Sequence, residues 1–176
     1  MDIISKLKND VYNANMDLVK YDLVTLTWGN VSGVDRQSNK MVIKPSGVNY
    51  NELTPDHMVV VNLENELNES SLNPSSDSPT HAYLYNHFKD IKGIAHSHSV
   101  FATIFAQACK EIPCLGTTHA DHFNGNIPIA RHLTKKEVEE HYERNTGKVI
   151  IERFKNLKPL ENPAILLSGH APFSWG

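Results

Sequence analysis

From residue 3 onward, stretches of helical period give way repeatedly to short runs of β-branched and aromatic residues, and this alternation leaves few architectures open. Ile3, Ile4, Leu7, Val11, Ala14, Leu18 and Val19 follow one another at helical spacing, which predicts a helix from Ile3 to Lys20. The run Leu23-Val24-Thr25-Leu26-Thr27-Trp28 then reads as a strand stopped by Gly29-Asn30. Further strands are expected at Lys40–Lys44, Met58–Leu63, Lys92–Ser99, Ile112–Thr117 and Ala164–Leu167. Helices are expected from Ser78, with Ser78 as N-cap and Pro79 in the first turn, at Val100–Ala108, and at Leu133–Phe154 with a break near Asn145-Thr146-Gly147. Glu64–Ser78 is polar and loop-like, and Gly169–Gly176 is a turn-rich exit. Strands interleaved with helices predict one layered α/β domain over residues 1–176. A core strand followed only by that exit predicts that an element packing over it lies beyond the sequence.

The 176 residues are enough to bury one sizeable core. A net charge of −3 provides no basic field for nucleic acid or an anionic membrane surface. No apolar run approaches the roughly 20 residues that span a bilayer, and residues 1–10 mix charged with apolar side chains unlike a signal peptide. The cytoplasm is therefore the expected compartment. Cys109 and Cys114 form no CxxC pair and are expected as buried free thiols.

Histidine is abundant, at ten residues, and several stand beside Asp, Ser or Thr. In Gly93-Ile94-Ala95-His96-Ser97-His98-Ser99, strand geometry would project His96 and His98 from one face. Two adjacent imidazoles are half of a divalent-metal site, and a catalytic zinc takes three protein ligands and keeps one position open. Two solvated edge-strand histidines would share the same pattern. Asp77, ahead of a helix start, is either a capping group or a site carboxylate. His170 lies just past a strand end, where loops carry functional groups and also ordinary solvated residues.

Gly29-Asn30, Lys44-Pro45-Ser46-Gly47 and Ser75-Ser76 are small-residue segments after strands or before a helix. Such segments let backbone N–H groups approach an anion, and Lys44 would add a full charge; each is equally common turn chemistry. In Thr117-Thr118-His119-Ala120-Asp121-His122, Asp121 is either an acid/base group or a cap.

Six blocks, LVTLTWGNVSGVD, VIKPSGVNY, PSSDSPTHAYLY, GIAHSHSVFATIFAQA, IPCLGTTHADHFNG and HAPFSWG, taken together and in this order, resemble the L-ribulose-5-phosphate 4-epimerases of the class II sugar-phosphate aldolase superfamily. The resemblance runs from about Leu7 to Gly176. It implies a three-layer α-β-α sandwich around a central, mostly antiparallel sheet. It implies that His96, His98 and His170 bind a divalent metal with Asp77 beside them, Zn²⁺ being expected and Mn²⁺ or Co²⁺ suiting the same ligands. Gly29, Asn30, Ser46, Gly47, Ser75 and Ser76 match the family's substrate and phosphate contacts. Asp121 matches an acid/base that the family supplies across a subunit boundary in a homotetramer. The family's chains continue several dozen residues past this point and carry a second acid/base there, a tyrosine that none of the six present matches.

The implied reaction interconverts L-ribulose 5-phosphate and D-xylulose 5-phosphate by retro-aldol cleavage of C3–C4 and re-addition, in arabinose or ascorbate breakdown. The superfamily's fuculose- and rhamnulose-phosphate aldolases, which carry Glu where Asp77 stands, and the non-catalytic adducin head are the alternatives.

Overall fold

A computed structural model describes every residue except Met1 and Asn65. It has the α/β class that the alternation predicts. The elements run α1 (Ile3–Lys20), β1 (Asn30–Asp35), β2 (Lys40–Ile43), β3 (Val59–Asn62), α2 (Ser78–His87), β4 (Gly93–His96), α3 (Val100–Gln107), α4 (Thr117–Ala120), β5 (Ile129–Ala130), α5 (Lys135–Glu139), α6 (Tyr142–Arg153), β6 (Ala164–Leu167) and β7 (Pro172–Trp175). The strands form one sheet in the order β3-β2-β1-β4-β7-β6-β5. Every pairing is antiparallel except β5 with β6.

Period-two alternation builds a core on each face of that sheet. Val42 and Val60 pack with Val11 of α1, whereas Met41, Ile43, Val59 and Val61 join Leu84 of α2 and Ile150 of α6. Helices thus cover both faces, and β2 and β3 are apolar at consecutive positions because neither face meets water. Asn15 ties α1 to the sheet from a buried position: its Nδ2 donates to the carbonyl of Val31, 3.2 Å away, and its Oδ1 accepts from the Val31 N–H at 2.9 Å.

Several local expectations fail for identifiable reasons. Leu23–Trp28 is a loop, not a strand. Asp22 and Leu26 take left-handed φ values of 55°, Leu26 is 74% exposed, and the ladder begins only at Asn30. Strand β4 stops at His96, because Asn30 and Phe173 opposite it are the last residues its neighbours pair. The Ser97 and His98 N–H groups go instead to the carbonyls of Pro172 and Leu23, 3.3 and 2.8 Å away. Ile112–Thr117 contributes one bridge, Ile112 to Ile127, before α4 begins at Thr117.

The break in the long C-terminal helix falls at Glu140-His141, where His141 has φ 58°, and Gly147 lies inside α6. A Cβ on Gly147 would come within 2.8 Å of the Cβ of Tyr83, so the glycine serves close packing of α6 on α2 rather than a break. The expected exit at residues 169–176 is strand β7, inserted between β4 and β6. Phe173 and Trp175 point inward while Ser174 is exposed, the pattern of a half-covered strand. Cys109 is exposed and Cys114 half-exposed, neither being the buried thiol expected; Cys109 ends the α3 turn in a left-handed conformation, φ 54°.

Candidate metal and substrate site

At the end of β4 a cavity of about 410 Å³ opens where the starts of β1, α2 and α6, the loop after β2 and the β6–β7 turn converge. His96, His98 and His170 reach it from β4, the segment after β4 and that turn, with Gly169 supplying the positive φ of 75° that the reversal needs. One candidate ligand atom from each lies within 4.8 Å of the others.

His96 is buried and doubly fixed. Its ring stacks on Phe173 with centroids 4.3 Å apart, and its Nδ1 lies 2.9 Å from the Pro172 carbonyl oxygen. A carbonyl only accepts, so Nδ1 carries the proton and Nε2 faces the cavity with a lone pair. Nε2 of His98 is 3.2 Å from Nε2 of His96, two nitrogens aimed at one another as they would be around a shared cation. Burial lowers all three histidines' pKa values, that of His96 to about 4; the neighbouring His170 lowers His96 and His98 further, while Asp77 opposes the shift in all three. Neutral imidazoles are the form a metal requires. Three nitrogens beside a carboxylate fit a divalent transition metal.

Asp77 lines the same cavity but stands outside the tight histidine group. It occupies the N-cap position of α2, where Ser78 was expected, and makes no capping hydrogen bond. Its Oδ2 instead accepts from Nδ2 of Asn30 at 2.7 Å. Asp77 thus makes no side-chain cap and presents its carboxylate at the cavity.

The other side of the cavity holds Gly29, Asn30, Lys44, Ser46, Gly47, Ser75 and Ser76. The two small-residue loops are zipped together: the Ser46 N–H donates to the Asn73 carbonyl and the Ser75 N–H to the Lys44 carbonyl, both at 2.9 Å. Those two amides are therefore spent, whereas the N–H groups of Gly47 and Ser76 make no hydrogen bond among the described residues. Gly29 (φ 75°) admits no side chain, since a Cβ would lie 2.4 Å from Cγ1 of Val24. Lys44 is almost fully buried, its ammonium held by the carbonyls of Thr27, Pro45 and Val48 at 3.2–3.4 Å and over the Tyr50 ring. Burial lowers its pKa, and no carboxylate is among these partners.

Tyr142 and Glu143 also line the cavity, and neither stood out in the sequence. The Tyr142 hydroxyl is 3.2 Å from Nδ1 of His170. Burial raises the phenol's pKa, with Asp77 and Glu143 adding to the rise. Both residues sit in what reads as helix, ahead of the break expected near Asn145; only the left-handed His141 turns the start of α6 toward the cavity. Asp121 is exposed at the end of α4 and does not line the cavity.

Residues 9–176 match the family described as Class II Aldolase and Adducin N-terminal domain. The chain belongs to this family. Over 173 residues it is 51% identical to the L-ribulose-5-phosphate 4-epimerase UlaF of Salmonella paratyphi C (strain RKS4594), covering 98% of this chain and 76% of that one. The UlaF protein of Salmonella choleraesuis (strain SC-B67) matches to the same extent. Among solved structures, an L-fuculose 1-phosphate aldolase superposes with TM-score 0.79 at 26% identity, over 97% of this chain and 75% of its own. YgbL of Klebsiella pneumoniae, a putative aldolase/epimerase/decarboxylase, gives TM-score 0.75 at 22% identity, over 100% and 81%, and so supports the class II aldolase fold alone.

Proposed function

We propose that this chain is a metal-dependent L-ribulose-5-phosphate 4-epimerase, interconverting L-ribulose 5-phosphate and D-xylulose 5-phosphate. The observation that carries the reading is the meeting, in one cavity, of three imidazole nitrogens and a carboxylate with a lysine-backed, small-residue cradle, in a chain half identical to epimerases of that name.

The C4–H of a 2-ketopentose phosphate is not acidic, so inversion proceeds through cleavage of C3–C4 and re-addition to the other aldehyde face. His96, His98 and His170 would hold the ion, Zn²⁺ in this reading, with the Asp77 carboxylate lining the same cavity. A divalent ion there supplies Lewis-acid stabilisation of the negative charge that develops on cleavage. Lys44 and the open N–H groups of Gly47 and Ser76 grip the phosphate, so the two-carbon aldehyde turns without leaving. Asp121 supplies an acid/base on one aldehyde face, from a neighbouring subunit of a homotetramer. Val100, Phe101, Ile104 and Leu115 are exposed apolar residues, with Phe101 at 82%, and fit a subunit contact. No helix of the described residues is long and apolar enough to cross a membrane; a phosphorylated sugar substrate, which does not cross membranes unaided, supports a cytoplasmic enzyme.

The test is incubation of the zinc-loaded enzyme with L-ribulose 5-phosphate, following D-xylulose 5-phosphate by a coupled assay and free glycolaldehyde phosphate in parallel. Epimer without free fragments is expected. Accumulating dihydroxyacetone and glycolaldehyde phosphate would make the enzyme an aldolase instead.

A further inference from the structure

Beneath the metal site two polar rungs join β1 to α2. Asn30 and Ser32 are two residues apart on one face of β1, while Asp77 and His81 are one helical turn apart. Asn30 Nδ2 donates to Asp77 Oδ2 at 2.7 Å, forming the first rung. Nδ1 of His81 lies 2.7 Å from Oγ of Ser32, forming the second. The Tyr85 hydroxyl lies 2.8 Å from that of Ser32 and 3.1 Å from the Ser32 carbonyl oxygen; with the phenol's one proton on the shorter contact, Ser32 Oγ accepts it and donates its own proton to Nδ1 of His81. His81 is fully buried, with its ring edge-on to Phe173, the residue that stacks on His96.

Two atoms among these residues have no protein partner among the described residues, although both are buried: Oδ1 of Asn30 and Nε2 of His81. A buried polar atom left unpaired loses its hydration with nothing in return. Flipping the Asn30 amide solves nothing, because its oxygen would then face the Asp77 carboxylate. Oδ1 is only an acceptor, and Nε2 donates when Nδ1 accepts from Ser32.

We propose that His81 is a positioning residue for the metal site: its Nε2–H donates through one internal water to Oδ1 of Asn30, and so locks the amide with its Nδ2–H on Asp77. The chain of contacts then runs from Tyr85 through Ser32, His81 and Asn30 to the Asp77 carboxylate, fixing that group before any ion arrives. The inference rests on the reading of Asp77 and the three histidines as the metal site.

The test has two parts. In protein labelled with ¹⁵N-histidine, the His81 ring is expected as the Nε2–H tautomer with a bare Nδ1, whether or not metal is bound. His81→Leu is expected to weaken Co²⁺ affinity about tenfold and to alter the cobalt absorption spectrum, while His81→Gln, which restores an N–H donor, recovers both. An Nδ1–H tautomer overturns the proposal. So does a His81→Leu variant with the parent's cobalt affinity and spectrum, or a Gln variant that folds yet recovers nothing. If the Leu variant does not fold, the tautomer and the Gln variant decide. A parent protein that binds no cobalt, with the tautomer as expected, would instead sink the metal-site reading and leave the contact between His81 and Asn30 standing.

Discussion

Phe173 stacks flat on His96, their planes 21° apart, so strand β7 sets the tilt of a ring that β4 carries. The backbone of Pro172, next to it, holds the same ring's Nδ1. One candidate ligand is thus oriented by a strand distant in the sequence.

Replacing His96 with Asn removes the best-fixed nitrogen of the trio. Metal content measured by atomic absorption is expected to fall below the parent's, and epimerase turnover to disappear. Turnover that survives exhaustive chelation would remove the metal from the mechanism.

Asp121→Asn tests the acid/base assignment separately. Because Asp121 lies outside the cavity of its own chain, metal content should stay at the parent level while kcat falls about 10²–10⁴-fold, the range for losing a general acid/base. An unchanged kcat sinks the assignment.

Lys44→Met addresses the phosphate cradle. The ammonium is buried among carbonyls with its pKa lowered by that burial, so it costs stability that substrate binding recovers. KM should rise about tenfold or more with metal content intact, and Tm should hold or increase. A lower Tm with KM unchanged would make Lys44 a structural residue.

Stability should depend on pH through the buried histidines. Burial lowers His81 to about 3 and His96 to about 4 from 6.5. The unfolded chain therefore takes up protons near pH 6.5 that the native one refuses until pH 4 or below, and stability falls as pH falls across that window. Thermal melts of metal-free protein should show Tm dropping from pH 7 to pH 5, with a flatter slope for His81→Gln. A flat profile in the parent would contradict the assignment.

Gly147→Ala forces a methyl into Tyr83. Overpacking costs about 1–3 kcal/mol, set against about 1 kcal/mol of helix propensity gained. A lower Tm is expected; a higher one would mean that α2 and α6 separate easily.

How much of this was legible follows from what each residue's role depends on. The helix at 3–20 announces itself because one face of α1 meets the core at every turn. The three histidines and the glycine and serine loops stand out because site chemistry needs those residue types whatever the fold. The loop at 23–28 carries strand-like residues without a ladder partner, and no local pattern shows whether a partner exists. Phe173 and Trp175 do alternate with Ser174 as strand residues should, but Gly169 and Pro172 read more loudly as a turn. Tyr142 reaches the cavity only through the left-handed His141, and a histidine in that conformation leaves no mark on the sequence. Asp121 is exposed and outside the cavity, so the role proposed for it depends on a neighbouring subunit and not on any local pattern.

The place of β7 bears on how the molecule is made. Residues 172–175 wedge between β4 and β6, so until they emerge from the ribosome the sheet is two separate pieces. His96 belongs to one piece and His170 to the turn leading into the wedge. A nascent or clipped chain short of that strand lacks the pairings that bring the His170 turn against His96, and a cation-capture signal during refolding would time the moment the halves join.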